Sequence, residues 1–298
     1  MTQTSIKEHM IAGWKRLSGQ GRAFWALFKQ RRVIIKQQSD KPVINHPNWQ
    51  LLAVVTVSLI LMGFLFLDQA AGVWKSTVPP VTHKLFRLYT DLGKSEVVLI
   101  PAALAILALG VLNWKALRVA QQAALMRVQM LGLFLFVAIA GSGLTNNLLK
   151  IMIGRARPRH FDELGPMTFD PPGLSSSFQG FPSGHSATAG ALAIILILLI
   201  PRLKWTWIGL TAWIAISRVV VGSHYPADIV AGFAYGAAFT WLLAAWMARH
   251  RLYFRVIDGS IDVPNQLRLS ATSLYKSLSL LRQKAYDKAS NKSAQGED

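Results

Sequence analysis

Residues 51–67 read LLAVVTVSLILMGFLFL, seventeen consecutive positions without a charged side chain. A helix rises 1.5 Å per residue, so roughly 20 apolar residues cross the hydrocarbon core of a bilayer, and this block reads as a membrane span. It begins some fifty residues into the chain behind a long basic segment, unlike the short positive head of a cleavable signal peptide. Five more apolar blocks follow, at about 97–113, 129–149, 185–201, 205–222 and 229–248. The sequence therefore predicts an all-α polytopic membrane protein, a six-transmembrane-helix bundle.

Composition supports the reading. Of 298 residues, 52% are hydrophobic and 15% charged, where a soluble domain carries about 25% charged residues. There is no cysteine, which excludes a disulfide scaffold, a cysteine-ligated metal and a cysteine nucleophile. The formal charge of +18 comes from 32 Lys and Arg against 14 Asp and Glu. A nucleic-acid binder would gather such cations on one soluble face with base-reading neighbours. Here nine lie between Lys7 and Lys41 and nine between Arg249 and Lys292, on either side of the apolar region. No nucleic-acid partner is expected, and both basic ends suit an anionic lipid surface.

Six crossings divide the remaining chain between two sides. One side, with both termini, the 114–128 loop and the 202–204 turn, collects 23 Lys and Arg, and the other collects 9. Basic loops resist translocation, so both termini are expected in the cytoplasm, with the loops after spans one, three and five facing the periplasm or exterior of an inner or plasma membrane. The predicted organisation is a basic segment over 1–47, a membrane domain over 48–248 and a basic tail over 249–298. Trp14 to Ile35 mixes Trp, Phe and Leu with Lys and Arg, which suits either a helix at the anionic interface or a disordered basic arm. In the tail Leu267, Leu274, Leu278, Leu281 and Ala285 recur at helical spacing after Pro264.

The unusual polar residues all fall at the predicted outward side. KIMIGRARP, 150–158, closes the third span. Lys150 and Arg157 are seven apart, which on a continuing helix would set them about 20° from each other on one face, a seat for a dianion. Arg155 and Arg159 point elsewhere on such a helix and read as surface charges. GFPSGHSA, 180–187, opens the fourth span. Ser183 is a good N-cap, Gly184 lets a ligand approach the backbone, and the free N–H groups of the first turn suit phosphate oxygens. His185 stands in that turn. SRVVVGSHYPAD, 217–228, joins the fifth and sixth spans. Arg218 near the end of an apolar block is expensive without a partner. Pro226 suits a first helical position, and Asp228, four residues after His224, is near enough to accept from one of its ring nitrogens. Asp162, Glu163 and Asp170 read as a solvated acidic loop at the rim rather than as ligands, and no metal or other cofactor is expected.

In order and spacing these three stretches resemble the signature of the type 2 phosphatidic acid phosphatase family of membrane lipid phosphatases: K-x6-R-P, P-S-G-H and S-R-x5-H-x3-D. All eleven specified positions are present. The resemblance covers about residues 50 to 248 and implies a helical bundle with an outward-facing site and metal-independent phosphate transfer through a phosphohistidine. It gives His224 as the nucleophile, Asp228 as its orienting carboxylate and His185 as the general acid. Lys150, Arg157, Arg218, Ser183 and Gly184 would then bind the phosphoryl oxygens. The expected substrate is a lipid phosphate within the bilayer: a polyprenyl diphosphate, phosphatidic acid, phosphatidylglycerol phosphate or a lipid A type glycolipid. A phosphotransferase would use the same residues. A transporter, the reading from another class, would instead spread polar residues through mid-membrane on several spans, whereas here they gather near one face.

Overall fold

The computed structural model describes residues 43–111 and 119–263, together with Glu8, 11–15, 18–19 and Arg22. Residues to Asp262 form one compact unit. Of the second, Val263–Asp298, only Val263 is among the described residues, so the tail helix expected over 267–285 lies outside them, as does most of the Trp14–Ile35 stretch.

The chain is a succession of apolar helices because a lipid environment offers backbone groups no partner but each other. α1 (Trp49–Met62) passes through a π-helical turn at Gly63–Leu67 into α2 (Asp68–Trp74). α3 (Pro80–Asp91) and α4 (Glu96–Val111) precede the long α5 (Val119–Ile153). After the short α6 (Phe161–Leu164) come α7 (Gly184–Leu199), α8 (Lys204–Val220) and α9 (Pro226–Arg249). Strands β1 (Arg255–Ile257) and β2 (Ser260–Asp262) close the described chain as an antiparallel hairpin. Each of the six apolar blocks holds the body of one helix. Four helical stretches, 49–77, 80–110, 124–153 and 226–249, are long and apolar enough to cross a bilayer, and α7 is a shorter apolar helix. The 68–96 segment, read from sequence as an outer loop, instead contains α2 and α3. α3 begins on Pro80, a residue that suits the first turn because its missing N–H would be unpaired there anyway.

Lipid-facing and protein-facing helices differ in side-chain size. α1 buries none of its side chains, and Leu51, Val54, Val57 and Leu61 stand exposed, as apolar side chains can in hydrocarbon. α7 buries Ser186, Ala187, Thr188, Ala189, Gly190, Ala191 and Ala193. These small residues let α9 approach closely: a Cβ at Gly190 would overlap the carbonyl of Phe233, and one at Gly236 that of Ala187. The hairpin is tied to the bundle from two sides. Asn45 N–H donates to Gly259 O at 2.7 Å, and buried Phe254 packs edge-on against Phe134, 4.8 Å between ring centres.

Candidate active site

The site forms where the C-termini of α5 and α8 meet the N-termini of α7 and α9. Ser183 N–H donates to Asp228 O at 3.0 Å, which joins the starts of the last two helices named. Ser183 is the N-cap of α7, its side chain accepting from Ser186 N–H at 3.4 Å, as the sequence predicts. Gly184 opens the helix. An ideal Cβ there would lie 3.6 Å from Lys150 Nζ and 3.8 Å from Asn146 Nδ2, so the free amides of this turn and the Lys150 ammonium face one space.

Lys150 lies in the last turn of α5 and is buried. The helix stops at Ile153, where Gly154 takes φ +65°, a left-handed turn in which any Cβ would overlap the Asp170 carbonyl. Arg157 is therefore not on the helical face of Lys150. It is extended (φ −83°, ψ 158°), with its N–H donating to Ser177 O at 2.9 Å, and the loop brings it within electrostatic reach of Lys150. Arg218, in the last turn of α8, is in reach of both and donates from Nη1 to Thr90 Oγ1 of α3 at 2.9 Å. Among the described residues none of these three cations has a carboxylate within salt-bridge distance. Nε of Arg157 and Nε of Arg218 are buried without a hydrogen-bond partner. Burial, then the neighbouring Arg159 cation, hold the Arg157 guanidinium below its usual range, a cost that an anion between the three would relieve.

His224 lies in the loop after α8, where its N–H and that of Ser223 donate to Arg218 O. It is 2% exposed. Its Nδ1 is 2.8 Å from Gly180 O, which assigns the proton to Nδ1 and leaves Nε2 with the lone pair. Asp228 Oδ2 is farther from that nitrogen, at 3.5 Å. The sequence expectation that Asp228 is the ring's acceptor is thus modified: the carbonyl holds the proton, and the carboxylate supplies charge beside it. Burial pushes the imidazole down to about 4 against the upward pull of Asp228, so the ring is neutral at neutral pH. His185 is half-buried in the first turn of α7, within electrostatic reach of Arg218, His224 and Lys150, and 3.6 Å from where a Cβ of Gly93 would stand. All eight sequence-predicted residues therefore converge on one end of the bundle.

A model of the PAP2 superfamily matches residues 131–252. The chain is 38% identical over 240 residues, 80% of its own length and 95% of the relative's, to the lipid A 1-phosphatase of Rhizobium johnstonii. It belongs to the PAP2 superfamily. To the lipid A 4′-phosphatase of Bacteroides thetaiotaomicron it is 32% identical over 125 residues, 41% of this chain and 54% of that one. Among solved structures, the PAP2-type phosphatidylglycerolphosphate phosphatase from Bacillus subtilis matches 66% of this chain and 92% of its own at 22% identity and a TM-score of 0.44. By its family and its similarity to the full-length Rhizobium relative, the protein is a membrane phosphatase of the lipid phosphate class, a hydrolase of phosphate esters.

Sequence reasoning misplaced one PAP2 site neighbour and missed three. Arg155, read as a surface charge, is fully buried and bonded to Asp228 Oδ1 at 2.5 Å and to Asp68 Oδ2 at 2.6 Å. The misreading followed from continuing the α5 helix past Gly154. Arg159 does lie at the surface, on Ser176 and Ser177. Asp68, Thr90 and Gly180 were not anticipated. The one available signal was for Asp68, an ionisable residue at the end of a membrane span, where function is the default reading. The acidic loop is solvated as expected, with Asp162 83% and Glu163 80% exposed. Among the described residues no three His, Cys, Asp or Glu stand together in a way that could hold a metal ion.

Proposed function

We propose that this PAP2 protein removes the 1-phosphate of a lipid A type glycolipid at the outward, periplasmic face of the inner membrane. One observation carries the substrate: the relative named lipid A 1-phosphatase matches 80% of this chain at 38% identity. The excess of cations on the side of both termini supports the orientation. In this reading the acyl chains stay in the bilayer and the headgroup enters at the rim. The basic segments 1–47 and 249–298 lie against anionic lipid on the cytoplasmic side, beyond the membrane domain of 48–248.

The geometry supports the following chemistry. Lys150, Arg157 and Arg218, with Ser183 and the Gly184 amide at the α7 N-terminus, neutralise the phosphoryl oxygens in place of the metal ions other phosphatases use. His224 Nε2 attacks phosphorus in line, forming a P–N bond as the bond to the sugar oxygen breaks. His185 gives its proton to that oxygen. Asp228 offsets the positive charge of the phosphorylated ring. A water deprotonated by His185 then attacks phosphorus, breaks the P–N bond and releases inorganic phosphate.

The test is phosphate release by the detergent-purified chain from bisphosphorylated lipid A, phosphatidic acid, phosphatidylglycerol phosphate and a polyprenyl diphosphate, with mass spectrometry locating the phosphate lost. Fastest release from lipid A at position 1 is expected, and faster turnover of any other member overturns the substrate. Because the chain has no cysteine, Glu163→Cys gives a single reporter of sidedness. Labelling of intact spheroplasts by an impermeant maleimide is expected, and labelling only after lysis overturns the orientation.

A further inference from the structure

Beside Asp228 lie two buried charged residues that the reaction above does not use, Arg155 and Asp68. The Arg155 guanidinium is bound at Nη1 by Asp228 Oδ1 (2.5 Å) and at Nη2 by Asp68 Oδ2 (2.6 Å). Nη2 and Nε also donate to Pro166 O, at 2.7 and 3.1 Å. The guanidinium stacks between the rings of Phe64 and Tyr225, 4.5 and 4.6 Å from their centres. Arg155, Asp68 and Asp228 are each 0% exposed. Only an arginine has enough donors in a fixed fork to fill these positions at once.

The two carboxylates also cap the start of α9. Asp228 Oδ2 accepts from Tyr225 N–H at 2.9 Å and Asp68 Oδ1 from Ala227 N–H at 3.0 Å. Asp68 comes from the far end of the first membrane helix, immediately after its π-helical turn. Arg155 reaches the second acceptor of His224 through its backbone, since its carbonyl takes the Gly180 N–H at 2.8 Å. Both groups that face His224 Nδ1, the Gly180 carbonyl and the Asp228 carboxylate, are therefore fastened to one residue.

We propose that Arg155 and Asp68 are positioning residues for His224, fixing its two Nδ1 partners so that Nε2 is held in line with the phosphate. This rests on the reading of His224 as nucleophile. The triad does a second thing. The Asp228 carboxylate is thereby kept beside a ring that becomes cationic when phosphorylated. By engaging Asp228, Arg155 also keeps that carboxylate from pairing with Lys150 or Arg157, both within its electrostatic reach, and leaves those cations for the substrate.

The experiment measures kcat and KM for phosphate release from bisphosphorylated lipid A, per folded molecule of the full chain in detergent, for Arg155→Lys, Asp68→Asn and His224→Ala. Displacing a reacting group by about 1 Å costs on the order of 10²-fold. Arg155→Lys is expected to lower kcat by about that factor and Asp68→Asn by about 10-fold, both with KM within about twofold of the parent. Should Arg155→Lys not fold, the nearly isosteric Asp68→Asn decides alone. Parental kcat in folded Asp68→Asn, or a KM that rises in proportion to the loss, overturns the proposal while an inactive His224→Ala keeps the mechanism. A His224→Ala protein with normal turnover removes the mechanism itself.

Discussion

Arg155 and Arg157 stand two residues apart in one loop and have opposite fates. Arg155 is enclosed by two carboxylates, a carbonyl and two aromatic faces. Arg157 keeps a buried Nε with no partner and, among the described residues, has no carboxylate within salt-bridge distance. The same side chain is thus structural where carboxylates meet it and ligand-seeking where none does. His224 lies between the two regions. One fixes its Nδ1, and the other, in the proposed mechanism, holds the phosphate that Nε2 attacks.

The most severe way to break this arrangement is to remove what stands between its halves. His224→Ala is expected to lower turnover by on the order of 10³ or more while the protein still folds, checked by phosphate release against a melting curve. Next comes the contrast between the arginines. Arg157→Ala is expected to cut kcat/KM by about 10²-fold without lowering the melting temperature, because it deletes a half-buried cation with no carboxylate in salt-bridge distance among the described residues. Arg155→Ala is expected to destabilise by about 3–5 kcal/mol, since it leaves two buried carboxylates unbalanced. Equal thermal stability of the two variants would abolish the distinction.

Smaller effects sharpen it. With His185 as the acid, His185→Ala is expected to lose about 10-fold less on an aryl phosphate, whose leaving group needs no proton, than on the lipid. Equal losses would remove that role. Acid sensitivity follows from His224. Burial lowers its pKa to about 4, so between about pH 6.5 and pH 4 the unfolded chain binds more protons than the folded one. Its contribution to stability is full above that window and declines as pH falls through it. The decline should be shallower in His224→Gln, as thermal unfolding at stepped pH would reveal. The smallest expected effect is that of EDTA, which should leave the rate unchanged because Lys150, Arg157 and Arg218 already supply the positive charge; a Mg²⁺-restored rate would contradict this.

Much of the site was legible because its signals are local. An uninterrupted apolar run announces a span, a serine before a glycine announces the start of α7, and Arg218 in an apolar block announces a charge that needs a partner. The route by which Arg157 joins Lys150 was not legible, because the helix ends at Gly154 on a left-handed turn packed against Asp170, a contact made across the loop. Nor was α3, whose mixed composition resembles a loop and whose Thr90 matters only through Arg218, 128 positions away.

The linear order of spans and motifs alone determined that this is a helical membrane protein with two histidines and three cations near helix ends, because hydrophobic length and helix capping act over neighbouring residues, and the resemblance of its three motifs implied the phosphatase. Tertiary structure alone decided that Arg155 is interior, that Asp68 at the start of α2 holds α9, and that Gly180 O accepts from His224 Nδ1–H. Those bonds join groups 87, 159 and 44 positions apart. A buried charge takes whatever partner the packed helices bring to it, and no local pattern in the chain records which one that is.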